Sequence, residues 1–244
     1  MTLPGYHDTM DISSQTSRFI AAHRNQDVRD LALSAKRVDG LDLPFALDQI
    51  AGWQTACRKL PQWAETDGIV YPPHISMEQC SSQFAAQYKA GIARRVAGAG
   101  GAMVDLTGGF GVDCSYIARG FSRAVYVERQ PHLCELAAHN FRALGLPHIN
   151  GDAEDWLRGV VDSRAASADS AAVDSATAVP IALIYLDPAR RDAHGGRTYA
   201  IADCTPDVLA LKDRLLAVSP HVMVKLSPML DWRKTVADFN GSVG

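Results

Sequence analysis

Three acids in this chain stand where an apolar run ends, and their neighbours are of types that do chemistry. Asp105 closes the first run and is followed at once by Leu106-Thr107-Gly108-Gly109-Phe110-Gly111. Glu128 closes a second run twenty-three residues later, and Asp187 closes a third just before Pro188. Glycines 108, 109 and 111 let the main chain approach a bulky ligand, because they lack a Cβ and tolerate positive φ. Residues 112–119 then alternate at helical spacing, so the unit is strand, glycine turn, helix, where a nucleotide-like ligand meets a helix N-terminus. The dinucleotide fingerprint is not met, since Gly109 and Gly111 fill its first two places and Cys114 falls in the third. The P-loop pattern is not met either, as no Gly-Lys-Ser/Thr follows. Asp105 would repel a pyrophosphate, but it suits a ligand carrying an ammonium and a sulfonium.

S-adenosyl-L-methionine is such a ligand, and the stretch 104–111 resembles the glycine turn of class I methyltransferases. Asp105 is expected near the methionine ammonium, through water or through its hold on the loop. Thr107, Gly108, Gly109 and Gly111 would bring the backbone to the sulfonium and ribose. Glu128, with Arg129 beside it, can accept two hydrogen bonds from ribose hydroxyls. After the third strand, Asp152 can accept from the adenine amine while Ala153 offers its N–H; Asp152 also suits a helix N-cap. Upstream, Phe84, Gln87 and Tyr88 lie within a turn of one another. They either line the methionine end of the pocket or belong to an amphipathic helix that covers the sheet.

Asp187-Pro188-Ala189-Arg190 ends the fourth strand, where open α/β sheets bind their ligands. Methyltransferases that act on planar nitrogens often carry Asp/Asn-Pro-Pro-aromatic at this point. Here Asp187 and Pro188 remain, so Asp187 would orient the acceptor and take its proton; capping of the next loop is the alternative. Ala189 and Arg190 replace the second proline and the aromatic, and a guanidinium can also stack on a base or hold a phosphate. Arg190 and Arg191, with Arg197, make a local basic loop that is either a phosphate contact or a solvated face. Lys225, at the end of the fifth strand, either enters the substrate cleft or pairs with a nearby Asp.

Glu78-Gln-Cys-Ser-Ser82, Asp105-Leu-Thr-Gly-Gly-Phe-Gly111, Asp187-Pro-Ala-Arg-Arg191 and Lys225-Leu-Ser-Pro-Met229 together resemble the bacterial class I methyltransferases with a THUMP-like C-terminal domain. The resemblance runs from about residue 60 to the end. It implies a helical N-terminal region, a Rossmann-like methyltransferase core and an RNA-binding module beyond the last residue here. That family is in turn similar to the RNA cap guanine-N2 methyltransferases, which implies methylation of an RNA base nitrogen. A small-molecule or protein methyltransferase stays open, as does a non-catalytic module that binds S-adenosylmethionine or RNA.

The elements that must position these residues divide at about residue 98. Residues 1–98 lack strand alternation and read as a helical N-terminal domain, with Ser76 and Gln79 as a capping box for one helix through Arg95. Residues 61–73 read as an irregular connection. From 99 to 244 short apolar strands alternate with helices, the pattern of a Rossmann-like α/β domain with a parallel sheet. Strands are expected at 103–106, 124–128, 148–151, 181–187 and 221–226, and helices at 112–119, 131–144, 206–217 and 230–238. Residues 162–177 read as a polar surface insertion. The sheet should lack its last hairpin, leaving the fifth strand as an exposed edge.

Composition sets further bounds. With 244 residues, 47% apolar and 21% charged, the chain is an ordinary globular protein. No apolar run reaches a membrane span and the N-terminus does not read as a secretory signal. The five cysteines form no CxxC pair, so a reducing cytoplasm without a metal centre is expected. The net charge of −3 leaves RNA binding to a local patch.

Overall fold

A computed structural model describes residues 12–34, 38–146, 149–151, 179–189, 201, 204–227 and 230–239. The N-terminal part is helical because short polar side chains open its helices where the apolar spacing begins. Ser13 accepts from the N–H of Thr16 at 3.1 Å and caps α1 (Ser14–His23). Asp27 accepts from Arg29 N at 2.8 Å ahead of α2 (Val28–Ser34). Asp42 caps α3 (Leu43–Lys59), with Pro44 in its first turn, where a missing N–H costs nothing. A short α4 (Pro61–Ala64) and α5 (His74–Gln79) follow.

The single helix expected from Ser76 to Arg95 is two. α5 stops at Gln79, and α6 (Gln83–Ala97) starts afresh on Ser82, whose Oγ accepts from Ala85 N at 3.2 Å. The cause is the Ser81-Ser82 pair, which offers the backbone a better bond as a cap than inside a helix. α6 ends at Gly98, which adopts φ +77°.

Among the described residues the second part is a five-stranded, all-parallel sheet: β1 (Ala102–Asp105), β2 (Arg123–Tyr126), β3 (Ile149–Gly151), β4 (Ile181–Leu186) and β5 (Val222–Val224), in the order β3-β2-β1-β4-β5. Each strand lies within the range expected from the sequence, apart from one residue at the start of β1 and of β2. The helices between them are α7 (Val112–Ile117), α8 (Pro131–Ala143), α9 (Val208–Val218) and α10 (Trp232–Asp238). β5 is the outer strand, hydrogen-bonded to β4 alone among the described residues.

Alternation along the buried strands sends two sets of side chains to opposite faces. Met103, Leu183 and Tyr185 pack with Ile117, Ala137 and Phe141 on one face. Val104, Ile184 and Leu186 pack with Val208, Leu215 and Val218 of α9 on the other. A third cluster joins the helical part to the sheet: Trp63, Tyr71 and Met77 pack with Phe110, Tyr116 and Leu136. Asn140 of α8 seals that join, accepting from Val70 N at 2.9 Å and donating to Val70 O at 2.7 Å. Those bonds satisfy a buried backbone segment that no strand pairs with among the described residues. The strand order reverses between β1 and β4, so a crevice opens past their carboxyl ends.

Candidate functional site

The glycine turn follows β1 into that crevice, and its shape comes from what surrounds each glycine. A Cβ on Gly108 would lie 2.0 Å from Cε2 of Tyr126, a ring that is 2% exposed and has little room to move aside. Gly111 holds φ +92°, and a Cβ there would lie 2.6 Å from Phe141 Cζ. Gly109, at φ +57°, is different, for among the described residues nothing stands within 4 Å of where its Cβ would be. Packing thus dictates two of the glycines, whereas the third faces open space. Phe110, between them, is buried edge-on against Trp63 with ring centroids 5.6 Å apart, so the N-terminal helices hold the turn in place.

Backbone bonds finish the turn. Gly108 N donates to Val127 O at 2.9 Å and Gly111 N to Gly108 O at 2.9 Å. Gly109 N donates to Glu128 Oε2 at 2.9 Å, while Gln130 N donates to Glu128 Oε1 at 2.8 Å. Glu128 is half-buried and spans the ends of β1 and β2, a tie that its spacing alone did not reveal. Each of its oxygens keeps a lone pair outside these bonds. Arg129 beside it is exposed.

Asp105 is 1% exposed. Its Oδ1 accepts from Thr107 N at 3.0 Å, but its Oδ2 is buried with no hydrogen-bond partner among the described residues. Burial pushes its carboxyl well above the usual range; the Thr107 N–H opposes that, and Asp113 and Asp187 add to it. A buried acceptor without a donor is costly and calls for an explanation at the site. Thr107 also reaches across the crevice, its Oγ1 accepting from Asp187 N at 2.5 Å.

Asp187 sits past the end of β4, half-buried beside buried Pro188. Paired backbone bonds between Ala189 and Thr205, at 2.8 and 2.9 Å, hold the segment after it. Lys225 Nζ lies 2.8 Å from Asp187 Oδ2, so of the two expectations for Lys225 the structure shows the pairing with an Asp. Burial raises the Asp187 carboxyl, and Lys225 pulls it partly back.

A buried network that sequence reasoning missed lies beneath the turn. Lys89 of α6 is 8% exposed and pairs with Asp113 Oδ2 of α7. Ser81 Oγ donates to the same oxygen at 3.1 Å, and Tyr185 OH does so at 2.8 Å. Tyr185 is the register partner of Asp105 across β1 and β4, so both side chains leave the same face of the sheet. Burial, with Asp113 next, raises the Tyr185 phenol far above its ordinary value, keeping it a donor. The sequence did carry a signal: a lone lysine among the small residues Ala86, Ala90 and Ala93, and a lone acid in the apolar run 112–117.

Phe84, Gln87 and Tyr88 are not brought to the glycine turn as pocket lining. They stand on the solvent face of α6, Phe84 80% and Tyr88 63% exposed. The helical phase explains this, since α6 buries Ala86, Lys89 and Ala93 instead. Asp152, Ala153, Arg190 and Arg191 lie outside the described residues, as do Arg197 and the stretch 162–177. Among the described residues no cluster of His, Cys, Asp and Glu could hold a metal, and no helix is long and apolar enough to cross a membrane.

No family model and no curated protein matches the sequence. Among solved structures, a protein from Porphyromonas gingivalis W83 provisionally described as a methyltransferase is similar at a TM-score of 0.70 and 28% identity. The match covers 91% of this chain and 51% of that one, so the chain spans about half the length of that structure. A protein from Klebsiella pneumoniae provisionally described as an O-methyltransferase is similar at 0.43 and 13% identity, over 93% of this chain and 86% of its own. An O-methyltransferase from Bacillus cereus in complex with SAH is similar at 0.39 and 13% identity, over 84% and 70%. Strand order, the reversal at β1 and β4, and the first of these matches agree: the chain has the Rossmann-like fold of the class I methyltransferases.

Proposed function

We propose that this chain is an S-adenosyl-L-methionine-dependent methyltransferase whose acceptor is a nitrogen of an RNA base. The observation that carries the reading is the corner itself, where among the described residues a buried Asp105 oxygen has no donor and nothing stands against Gly109. An ammonium supplies what that oxygen lacks, and space at Gly109 admits a ligand against the main chain. The lone pairs left on Glu128 suit the paired hydroxyls of a ribose. Asp152 and Ala153 belong to the same reading, as the adenine contacts. When bound, the donor supplies an electrophilic methyl on a sulfonium.

The chain's own residues do the rest. Asp187 Oδ2 is held by Lys225, which leaves Oδ1 to accept from the acceptor N–H and take its proton as the methyl arrives. Its raised carboxyl makes it a stronger base than an exposed aspartate. Little further acid–base help is needed if acceptor and methyl are held in line, since positioning supplies most of the rate. Thr107 fixes where Asp187 stands, while Arg190 and Arg191 would take phosphate or stack on the base. Kinship with the THUMP-like-domain methyltransferases belongs to the same proposal.

The test is transfer of tritiated methyl from S-adenosylmethionine to an RNA pool. Asp187→Ala should abolish labelling and leave S-adenosylhomocysteine binding intact; undiminished labelling would remove Asp187 from the chemistry. Labelling of protein or small molecules in place of RNA would keep the donor site and replace the acceptor.

A further inference from the structure

We propose that the outer face of α6 is a docking strip for single-stranded nucleic acid, and that RNA is what it holds. The strip is set by helical spacing: Phe84, Gln87, Tyr88, Gly91, Arg94 and Arg95 fall at successive turns of one face and are all exposed. Over its twelve residues, eleven steps of about 1.5 Å, the strip is about 16 Å long.

Its composition departs from an ordinary solvated helix face. Such a face mixes charges of both signs, yet 83–97 contains no acid at all. Asp113 meets Lys89 on the buried face, and the acid nearest in sequence, Glu78 on α5, lies 3.5 Å from His74. Two aromatics one turn apart stand 80% and 63% exposed, where burial of either ring would be favourable. A glycine in mid-helix costs roughly 1 kcal/mol against alanine, and among the described residues nothing stands within 4 Å of where a Cβ on Gly91 would be.

Stacking platforms, an amide, a smooth gap and two guanidiniums match what a nucleic-acid strand presents. Base faces stack on Phe84 and Tyr88 in any sequence, Gln87 bonds to a base edge or sugar, and Arg94 and Arg95 meet phosphates. The helix that carries the strip is fixed from its other side, for Ser81, three residues before Phe84, and Lys89 both bond Asp113 under the glycine turn. The choice of RNA over DNA rests on the acceptor proposed above.

The experiment uses the full chain and a fluorescein-labelled single-stranded RNA about a dozen nucleotides long, read by anisotropy across a salt series. Phe84→Ala and Tyr88→Ala should each weaken binding about tenfold or more. Arg94→Ala and Arg95→Ala should each lower the slope of log K against log salt by about 0.7. All four positions are exposed, so melting temperatures should match the parent. RNA binding unaffected by all four changes overturns the strip. So does the absence of RNA binding, or self-association of the parent that Phe84→Ala abolishes. S-adenosylhomocysteine affinity, measured on the same samples, reports separately on the methyltransferase reading: if it is absent while the strip still binds RNA, only that reading fails.

Discussion

Replacing Asp105 by Asn keeps the size and shape of the side chain and removes its charge. The Oδ1 bond to Thr107 N can persist, so the turn should keep its course. What changes is what a cation can gain there. A hydrogen bond to a charged partner contributes about 1.5–3 kcal/mol, so the variant should bind S-adenosylhomocysteine roughly tenfold to a hundredfold more weakly at neutral pH. Because the folded-state carboxyl is raised well above 3.8, ligand affinity of the parent should rise with pH as Asp105 ionises, and the variant should lose that rise. Stability runs the other way. A carboxyl raised on folding binds its proton more tightly in the folded state, so it adds stability as pH falls through its folded value toward 3.8. Melting of the parent relative to Asp105→Asn should therefore improve on acidification. Calorimetric titration and thermal melts over the same pH series read both signs. Equal ligand affinity of parent and variant at every pH would refute the role given to Asp105.

The other parts of the site yield four further expectations. Lys89→Met and Asp113→Asn each strand a buried partner and should each cost about 3–5 kcal/mol; the double variant should cost clearly less than their sum, and additive losses in denaturant melts would argue against the pair. Gly111→Ala meets Phe141 and a positive φ, so it should lower stability by at least ~2 kcal/mol. Gly109→Ala should cost about 1 kcal/mol of strain yet weaken S-adenosylhomocysteine binding, and tight binding by it would mean the open space is not the ligand's. Lys225→Met removes the group that draws the Asp187 carboxyl down, so the pH at which methyl transfer rises should move upward; an unmoved profile would place the proton elsewhere.

The sheet was legible because each strand is a short apolar run closed by a turn signal, and a parallel strand buried on both faces needs little else. The place of Asp105, Glu128 and Asp187 at its end was legible for the same reason, since each interrupts such a run. The break before α6 was not, because a capping pattern at Ser76 and a cap at Ser82 look alike until one sees which serine accepts the N–H. Phe84 and Tyr88 share a turn, but nothing in their spacing says which face of α6 the sheet covers. Lys89 and Asp113 lie twenty-four residues apart and meet only when α6 packs on α7. Glu128 was placed correctly at a strand end, yet its bond to Gly109 N depends on how β1 and β2 align, which no local pattern encodes.

The most direct measurement is a crystal structure of the chain with S-adenosylhomocysteine bound. The account predicts the ribose hydroxyls on Glu128, the sulfur over Gly109 and the amino group on the Asp105 side of the turn, with Asp187 facing the methyl position. Adenosine density away from this corner, or a Glu128 carboxylate pointing away from the sugar, would contradict it.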